Sequence, residues 1–499
     1  MISIKNASKN VQLKFKCEAP GDELDDSHMA KVIYWAVQSF KKDYPLLFER
    51  PESVRGPKFK YELDELLAFD CYSVYHGKRT YRQREEWLTN DDESCNFILN
   101  NKSPSKSTMN SFKLDYGILF VEFFYYTVEL GLRYDRVSGE VVTLDSTKIK
   151  AYANKYRTVK LESLIYLLDL IYDLSFDNSK NSKWYKLRKF FFKDKLPKDM
   201  VDLVEEIDKN LNHHCINLLK TALISQKKRD WVIGVIDSLM EQYDGKNPIN
   251  LTDPESRKMR MKDDTTAYGY TVQTVRDVYT GYTIVQKVTQ EKNDKNGFMN
   301  VVDDVNMSLG YKPRYMLMDN GYRTKKMLEL ALQHGIIPIC PDVKDSMRRN
   351  GTRRDAMFDS SNMKFNPVSE SFKCAFSQDL KIIGIREINE ADNIVFRTDY
   401  CPNCPFQEDC TNNDYREVVM SAHPLFLESK KDFWAAEQMG LYKYRGIISE
   451  GGFGNLFQNR QYPDLRRKGI KKADIDLKIE AIIDNLIDLR KNLEIQIEI

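Results

Sequence analysis

Two short apolar segments constrain this chain more than any other feature. VVTL at 141–144 and YMLM at 315–318 each run directly into an aspartate, Asp145 and Asp319. Compact apolar runs of this kind read as buried strands. A carboxylate at the end of such a strand loses hydration unless a cation balances it. One such residue is an ordinary cap for a turn or a following helix. Two of them, 174 positions apart (319 − 145), acquire a joint meaning only if their strands lie side by side.

The intervening pattern is compatible with that. Segments 268–275 and 282–288 alternate like two strands joined by a turn at Thr280-Gly281. Segments 297–309 and 324–333 have helical spacing, and 336–340 reads as a further strand. Strand, hairpin, helix, strand, helix and strand in succession predict a mixed α/β sheet. Helical periodicity returns after the first strand, with Leu161, Leu164, Leu167, Leu168 and Ile171 on one face.

The predicted division follows these shifts. Residues 1–135 form a helical N-terminal domain, read either as a compact helical unit or as a helix-turn-helix DNA reader, with no recognition helix fixed. Residues 136–345 form the first part of the core, with a helical insertion at about 160–250. Residues 346–420 form a Cys-rich insertion that opens on a loop-like basic run, Arg348, Arg349, Arg353 and Arg354. Residues 421–499 complete the core and end in a helix with apolar residues at 475, 479, 482, 486, 489 and 493. That stripe reads as a helix packed on its own core or as a dimer seam.

Composition sets outer limits. The 499 residues suit about three domains. Hydrophobic residues make up 42% and charged residues 30%, which excludes a wholly disordered chain. Lys plus Arg (76) nearly cancels Asp plus Glu (74), so a polybasic coat is excluded while local basic faces are not. The longest apolar stretch, 114–132, contains Asp115, Glu122 and Glu129 and reads as a buried helix, so no membrane partner is expected. The opening MISIKNASKN lacks the apolar core of a signal peptide. Scattered cysteines without a pairing framework predict reduced thiols in the cytoplasm.

Three cysteines do cluster. Cys401-Pro-Asn-Cys404 followed by Cys410 presents a CxxC knuckle and a third thiol. Structural Zn²⁺ takes four N or S ligands, and Cys374 is the best fourth, with His423 in reserve. The segment 380–397 between them reads as paired short strands, which suggests a zinc-ribbon-like unit. Four reduced thiols in a small core are the alternative. Pro402 and Pro405 speak against a redox CxxC.

Paired strand-end acids suit a hard divalent cation such as Mg²⁺, which prefers carboxylate oxygen. Two ions about 3.5–4 Å apart can serve the attacking and leaving oxygens in phosphodiester chemistry. A third acid is then expected from an element packed beside those strands.

VVTLDSTKIKAYANKY resembles the first-acid segment of bacterial insertion-sequence transposases of the DDE class. LTDPESRKM, YGYTVQTVRD, YMLMDNGYRTKKMLELALQHGIIPIC and SEGGFGNLF follow in the order found in that family, so the resemblance runs from about residue 61 to 493. It implies an RNase H-like catalytic core with Asp145 as first acid, Asp319 as second and Glu450 as third. It also implies two Mg²⁺ or Mn²⁺ ions, double-stranded DNA as partner, a homodimer on DNA, and a bacterial, nucleoid-associated location. Transposases of this kind often carry a similar Cys cluster between the second and third acids. The chain departs from the family in having Phe457 where a Lys or Arg is usual. Gly451 and Gly452 follow Glu450 directly, which predicts an irregular helix or one that begins near Glu450. Glu437 is the rival third acid; Tyr442 and Arg445 ahead of Glu450, and Phe453-Gly454 after it, favour Glu450.

DNA contacts are expected from basic residues around the acids: Lys148 after Asp145, Arg257 before the hairpin, Arg445, and the run with Arg460, Arg466 and Arg467. Each alone reads better as a solvated surface charge, and the placement of several around the acids is what favours DNA contact. Tyr322 reads as a base-stacking residue or as packing. The resemblance implies a transposase that binds the terminal inverted repeats of its own element, hydrolyses a phosphodiester and joins the new 3′-hydroxyl to target DNA; an inactive DNA-binding derivative and a plain nuclease are the alternatives.

Overall fold

The computed structural model describes the chain apart from residues 1, 7–10, 16–23, 51–59, 91, 175, 178, 194–197, 351–356, 461, 463 and 498–499. Arg353 and Arg354 therefore lie outside the described residues.

The N-terminal region is not wholly helical. Ile2–Asn6 (β1) and Val11–Phe15 (β2) form an antiparallel hairpin. ISIK and VQLKF alternate apolar and polar residues with period two, a strand signal that the helical reading passed over. Helices follow: α1 (Met29–Asp43), α2 (Leu63–Tyr75), α3 (Tyr81–Trp87), α4 (Glu93–Leu99), α5 (Lys106–Asp115) and α6 (Gly117–Arg133). Thr80, Asp92 and Ser105 cap α3, α4 and α5 by accepting from backbone N–H groups in the first turn.

The central sheet is built from β3 (Val141–Lys150), β6 (Arg257–Arg260), β7 (Thr266–Asp277), β8 (Thr283–Thr289), β9 (Tyr315–Leu317) and β10 (Ile337–Ile339). Its order is β10-β9-β3-β7, with β6 and β8 both against β7. β3, β9 and β10 run parallel, whereas β7 is antiparallel to β3 and β8 to β7. The mixed α/β expectation is met, and α12 (Gly297–Leu309) and α13 (Lys325–His334) fall where the periodicity put helices.

Between β3 and β6 the chain forms β4 (Thr158–Val159), α7 (Leu161–Asp173), α8 (Lys183–Lys193), α9 (Val201–Asn210), α10 (His213–Ala222), α11 (Gln226–Glu241) and β5 (Ile249–Asn250). These elements share a core of their own that includes Leu164, Leu167, Trp184, Leu219 and Ile236.

After β10 comes α14 (Val343–Asn350), where a loop was expected. Asp342 Oδ1 accepts from Asp345 N and starts this helix; Arg348 and Arg349 lie on it, and both pair with Glu437. A five-stranded antiparallel sheet follows: β11 (Lys364–Asn366), β12 (Ser371–Lys373), β13 (Asp379–Ile388), β14 (Ala391–Arg397) and β15 (Val418–Ser421). The short α15 (Gln407–Cys410) lies between β14 and β15. The chain ends in α16 (Pro424–Gln438), α17 (Lys443–Gly454) and α18 (Ile470–Ile497).

Period-two alternation divides β3 between two cores. Val142 and Leu144 join the large core made with α1–α6, α12, α13 and α18. Val141 joins the core shared with the five-stranded sheet and α16. Of the apolar stripe of α18, Ile479, Ile482, Leu486 and Leu489 are buried in the first of these cores and so are not a free dimer seam, while the side chain of Leu493 lies outside the described residues. Among the described residues no helix is long and apolar enough to cross a membrane.

Candidate active site

The register of two parallel strands brings the sequence's two acids together. Thr143 of β3 stands opposite Leu317 of β9. Asp145 and Asp319 are each two residues further on, so they are level on neighbouring strand lines, which run about 4.8 Å apart in a sheet. Asp145 accepts from Ser146 N at 2.8 Å, and Asp319 from Asn320 N at 2.6 Å. The guanidinium of Arg445 spans both carboxylates: its Nη2 is 3.3 Å from Asp145 Oδ1 and 3.6 Å from Asp319 Oδ2.

Arg445 reaches this place because α17 lies across the sheet. Tyr442, Arg445, Ser449 and Gly452 recur at helical spacing and share one face. Tyr442 Oη donates to Met318 O at 2.9 Å. Ser449 Oγ and Thr143 Oγ1 are hydrogen-bonded at 2.9 Å. Thr143 and Asp145 share one side of β3, so α17 covers the side on which Asp145 stands.

The backbone of Glu450 follows Ser449 within α17; its side chain lies outside the described residues. Of the two alternatives the glycines left open, a start near Glu450 is not found: the helix starts at Lys443, seven residues before Glu450 (450 − 443). It does become irregular after the glycines, passing into a π-turn at Asn455–Asn459. The rival acid Glu437 is engaged elsewhere, with Arg349 at 2.6 Å and Arg348 at 3.6 Å.

The glycine at 452 has a packing reason. A Cβ there would lie 0.9 Å from Nη1 of Arg276, the buried residue opposite Thr143 on β7. Alanine normally favours a helix interior over glycine by about 1 kcal/mol. Here Gly452→Ala should instead destabilise by about 1–3 kcal/mol, because it overpacks a buried guanidinium. Thermal denaturation reads this as a lower Tm; a higher one would mean that Arg276 swings aside without cost.

Burial pushes the Asp145 carboxyl up from its ordinary range, against the pull of Arg445, the Ser146 N–H and Lys262. The same attraction outweighs burial at Arg445 and holds its guanidinium firmly charged. A third carboxylate, missed in the sequence, stands beside these two. Asp294 accepts from the Ser146 hydroxyl, and its Oδ2 is 3.2 Å from where a Cβ on Gly321 would stand. No signal marked it, because it lies in an ordinary Asn-Asp turn before α12.

This donor set fits a divalent cation. Hard carboxylate oxygens converge, and a guanidinium already stands between them as a cation. Asp145 and Asp319 are the residues that could hold it. In this arrangement no group of three or more His, Cys, Asp or Glu among the described residues is disposed to hold a metal.

That applies equally to the cysteines. Cys374, Cys401, Cys404 and Cys410 line one small cavity, and burial pushes the Cys410 thiol up, towards the neutral form. The zinc expected from their spacing is not supported: the thiols share a pocket with Phe358, Phe376 and Leu380 without forming a ligand set. His423 caps α16 instead, accepting from Leu425 N.

The basic candidates separate. Lys148 donates to Arg260 O, and Arg257 to the carbonyls of Pro254, Glu255 and Ser256, so both brace the β6 turn. Arg460 pairs with Glu480 and Asp484, and Arg467 with Asp476. Arg466 is exposed. Tyr322 is fully buried and its hydroxyl donates to Gln273 at 2.9 Å; the stacking reading is corrected to packing, since no base can reach the ring. Lys262, unremarked in the sequence, is exposed with its Nζ 5.2 Å from the Phe453 ring.

No curated protein and no solved structure matches the chain. Residues 374–490 match the family model described as a transposase DDE domain. That segment excludes Asp145 and Asp319 and includes α17 with Arg445 and Glu450. Over that segment the chain is similar to the DDE domain of transposases, and the match supports a DDE-class transposase.

Proposed function

We propose that the central sheet is an RNase H-like catalytic core and that the chain cuts and joins DNA at the ends of its own element. The observation that carries this reading is the single guanidinium, Arg445, shared by Asp145 and Asp319 across 174 positions of sequence (319 − 145). The strand order is also that expected of such a core: three consecutive antiparallel strands, β3, β7 and β8, then β9 and β10 parallel on the other side of β3.

In this reading Asp145, Asp319 and Glu450 hold Mg²⁺ or Mn²⁺, and double-stranded DNA lies over α17 and the ends of β3 and β9. The bound ions would supply positive charge to the attacking and leaving oxygens of an in-line displacement at phosphorus. The protein's own groups do the rest. Asp145 and Asp319 are held level by backbone register and by the N–H groups of Ser146 and Asn320. Arg445 Nε is buried without a partner among the described residues, so the guanidinium has a donor left for a phosphate oxygen. Lys262 adds attraction at the rim. Water attack first frees a 3′-hydroxyl, and that hydroxyl then attacks target DNA in the same pocket. The N-terminal helical region is assigned to element-end binding, and two copies bring two ends together.

A plasmid carrying the DNA that flanks the coding region tests this in Mg²⁺ or Mn²⁺. Nicks at the element ends and joined products in a second plasmid are expected. Nicks without joining would leave a nuclease. Binding without nicks in either metal would leave a DNA-binding derivative.

A further inference from the structure

A second charged cavity lies away from the acids, between the N-terminal helices and the segment that leads into α18. It measures about 220 Å³. Arg79 from the turn after α2, Arg84 from α3, Lys113 from α5, and Arg466 and Arg467 ahead of α18 all line it. These come from separate stretches of chain, so no local sequence pattern explains their convergence.

The acids present do not balance these charges. Arg84 and Lys113 share Asp70, at 2.7 and 2.9 Å. Asp476 is shared by Arg467 at 2.6 Å and Lys113 at 3.3 Å. Glu480 is shared by Arg79 at 3.0 Å and Arg460 at 2.8 Å, and Arg460 also takes Asp484. Six cations thus meet four carboxylates, and Arg466 has no acidic partner among the described residues. The hydroxyl of Tyr81, which also lines the cavity, is buried without a hydrogen-bond partner. Unbalanced guanidinium groups beside an unused hydroxyl donor ask for an oxyanion.

We propose that this cavity docks a backbone phosphate of DNA, with Arg466 and Tyr81 as its direct contacts. The inference rests on the reading that duplex DNA is the substrate, and it adds where a strand leaving the acid pocket is gripped. The geometry favours a phosphodiester over a free anion. Leu465 N donates to Lys150 O at 2.9 Å, which ties the segment bearing Arg466 to the end of β3. Lys150 is five residues from Asp145 (150 − 145) on that strand. At about 3.3 Å per residue this is about 17 Å, on the order of five nucleotide steps of one DNA strand.

Fluorescence anisotropy of a labelled duplex, measured in EDTA over a salt series, tests the site without involving the acid pocket. Arg466→Ala should weaken binding by roughly three- to tenfold and lower the slope of log K against log salt by about 0.9. Arg466→Glu should weaken it further, and Tyr81→Phe by a smaller factor without changing the slope. Lys381→Ala, at an exposed cation on β13, serves as the control and should leave both unchanged. Unaltered affinity and slope in Arg466→Glu would overturn the site while leaving the nicking reading to its own test. Inorganic phosphate supplies the other arm: if it raises the Tm of wild type but not of Arg466→Glu, while both bind duplex equally, the cavity takes a small anion and not DNA. Wild type that fails to bind duplex at all would overturn both this site and the DNA reading.

Discussion

Asp145→Asn and Asp319→Asn should each reduce metal-dependent nicking by on the order of 10³-fold or more, with the fold retained. A carboxylate that holds a metal in phosphoryl chemistry stabilises charge in the transition state, and losing several kcal/mol there costs that much rate. Stability should change little. The register that sets both residues is carried by backbone pairing of β3 with β7 and β9. Arg445 keeps one carboxylate partner in either variant, so no buried cation is left wholly unpaired. Circular dichroism and thermal melting establish the fold, and single-turnover nicking in Mg²⁺ gives the rate. Variants that nick within tenfold of wild type would reduce the two acids to structural residues. Binding of duplex in EDTA should survive in both, which separates lost chemistry from lost recognition.

What the sequence made legible was local or periodic. The strands ending at Asp145 and Asp319 could be read because apolar runs meet acids there, and α12 because its apolar residues recur at helical spacing. Their meeting was conditional until the register of Thr143 with Leu317 was known. Three features were not legible, for a common reason. Asp294 enters the pocket through Ser146, 148 positions away. Gly452 answers to Arg276 on another strand, so its unfavourable place in a helix had no visible cause. Tyr322 beside Asp319 suggested a surface role, yet Gly297 leaves the space into which its ring packs; a Cβ there would lie 2.4 Å from Tyr322 Cε1. The basic runs misled in the opposite direction. Arg460 and Arg467 read as DNA contacts by density of charge, but acids spaced along α18 claim them.

The N-terminal helices depend on a buried ion triad of their own, and breaking it should be the costliest single change to stability. Asp70 on α2 accepts from Arg84 Nη1 at 2.7 Å and Lys113 Nζ at 2.9 Å, and all three side chains are buried. Burial pushes the Asp70 carboxyl up, but Arg84 and then Lys113 overcome it and bring it down to about 2. A carboxyl whose folded value lies below its ordinary 3.8 stabilises the fold at every pH above that ordinary value. The contribution, on the order of 2 kcal/mol, is lost as pH falls from about 4 to about 2. Asp70→Asn removes it at all pH and leaves two buried cations short of a partner, so about 3–5 kcal/mol of stability should be lost at pH 7. Urea denaturation measures this, and the difference between wild type and variant should shrink below pH 4. Lys113 keeps Asp476 at 3.3 Å, so Arg84 bears most of the loss. The double variant Asp70→Asn with Arg84→Met, which removes that stranded charge, should recover part of the stability. If it is no more stable than Asp70→Asn alone, the cost lies in packing and not in the uncompensated guanidinium.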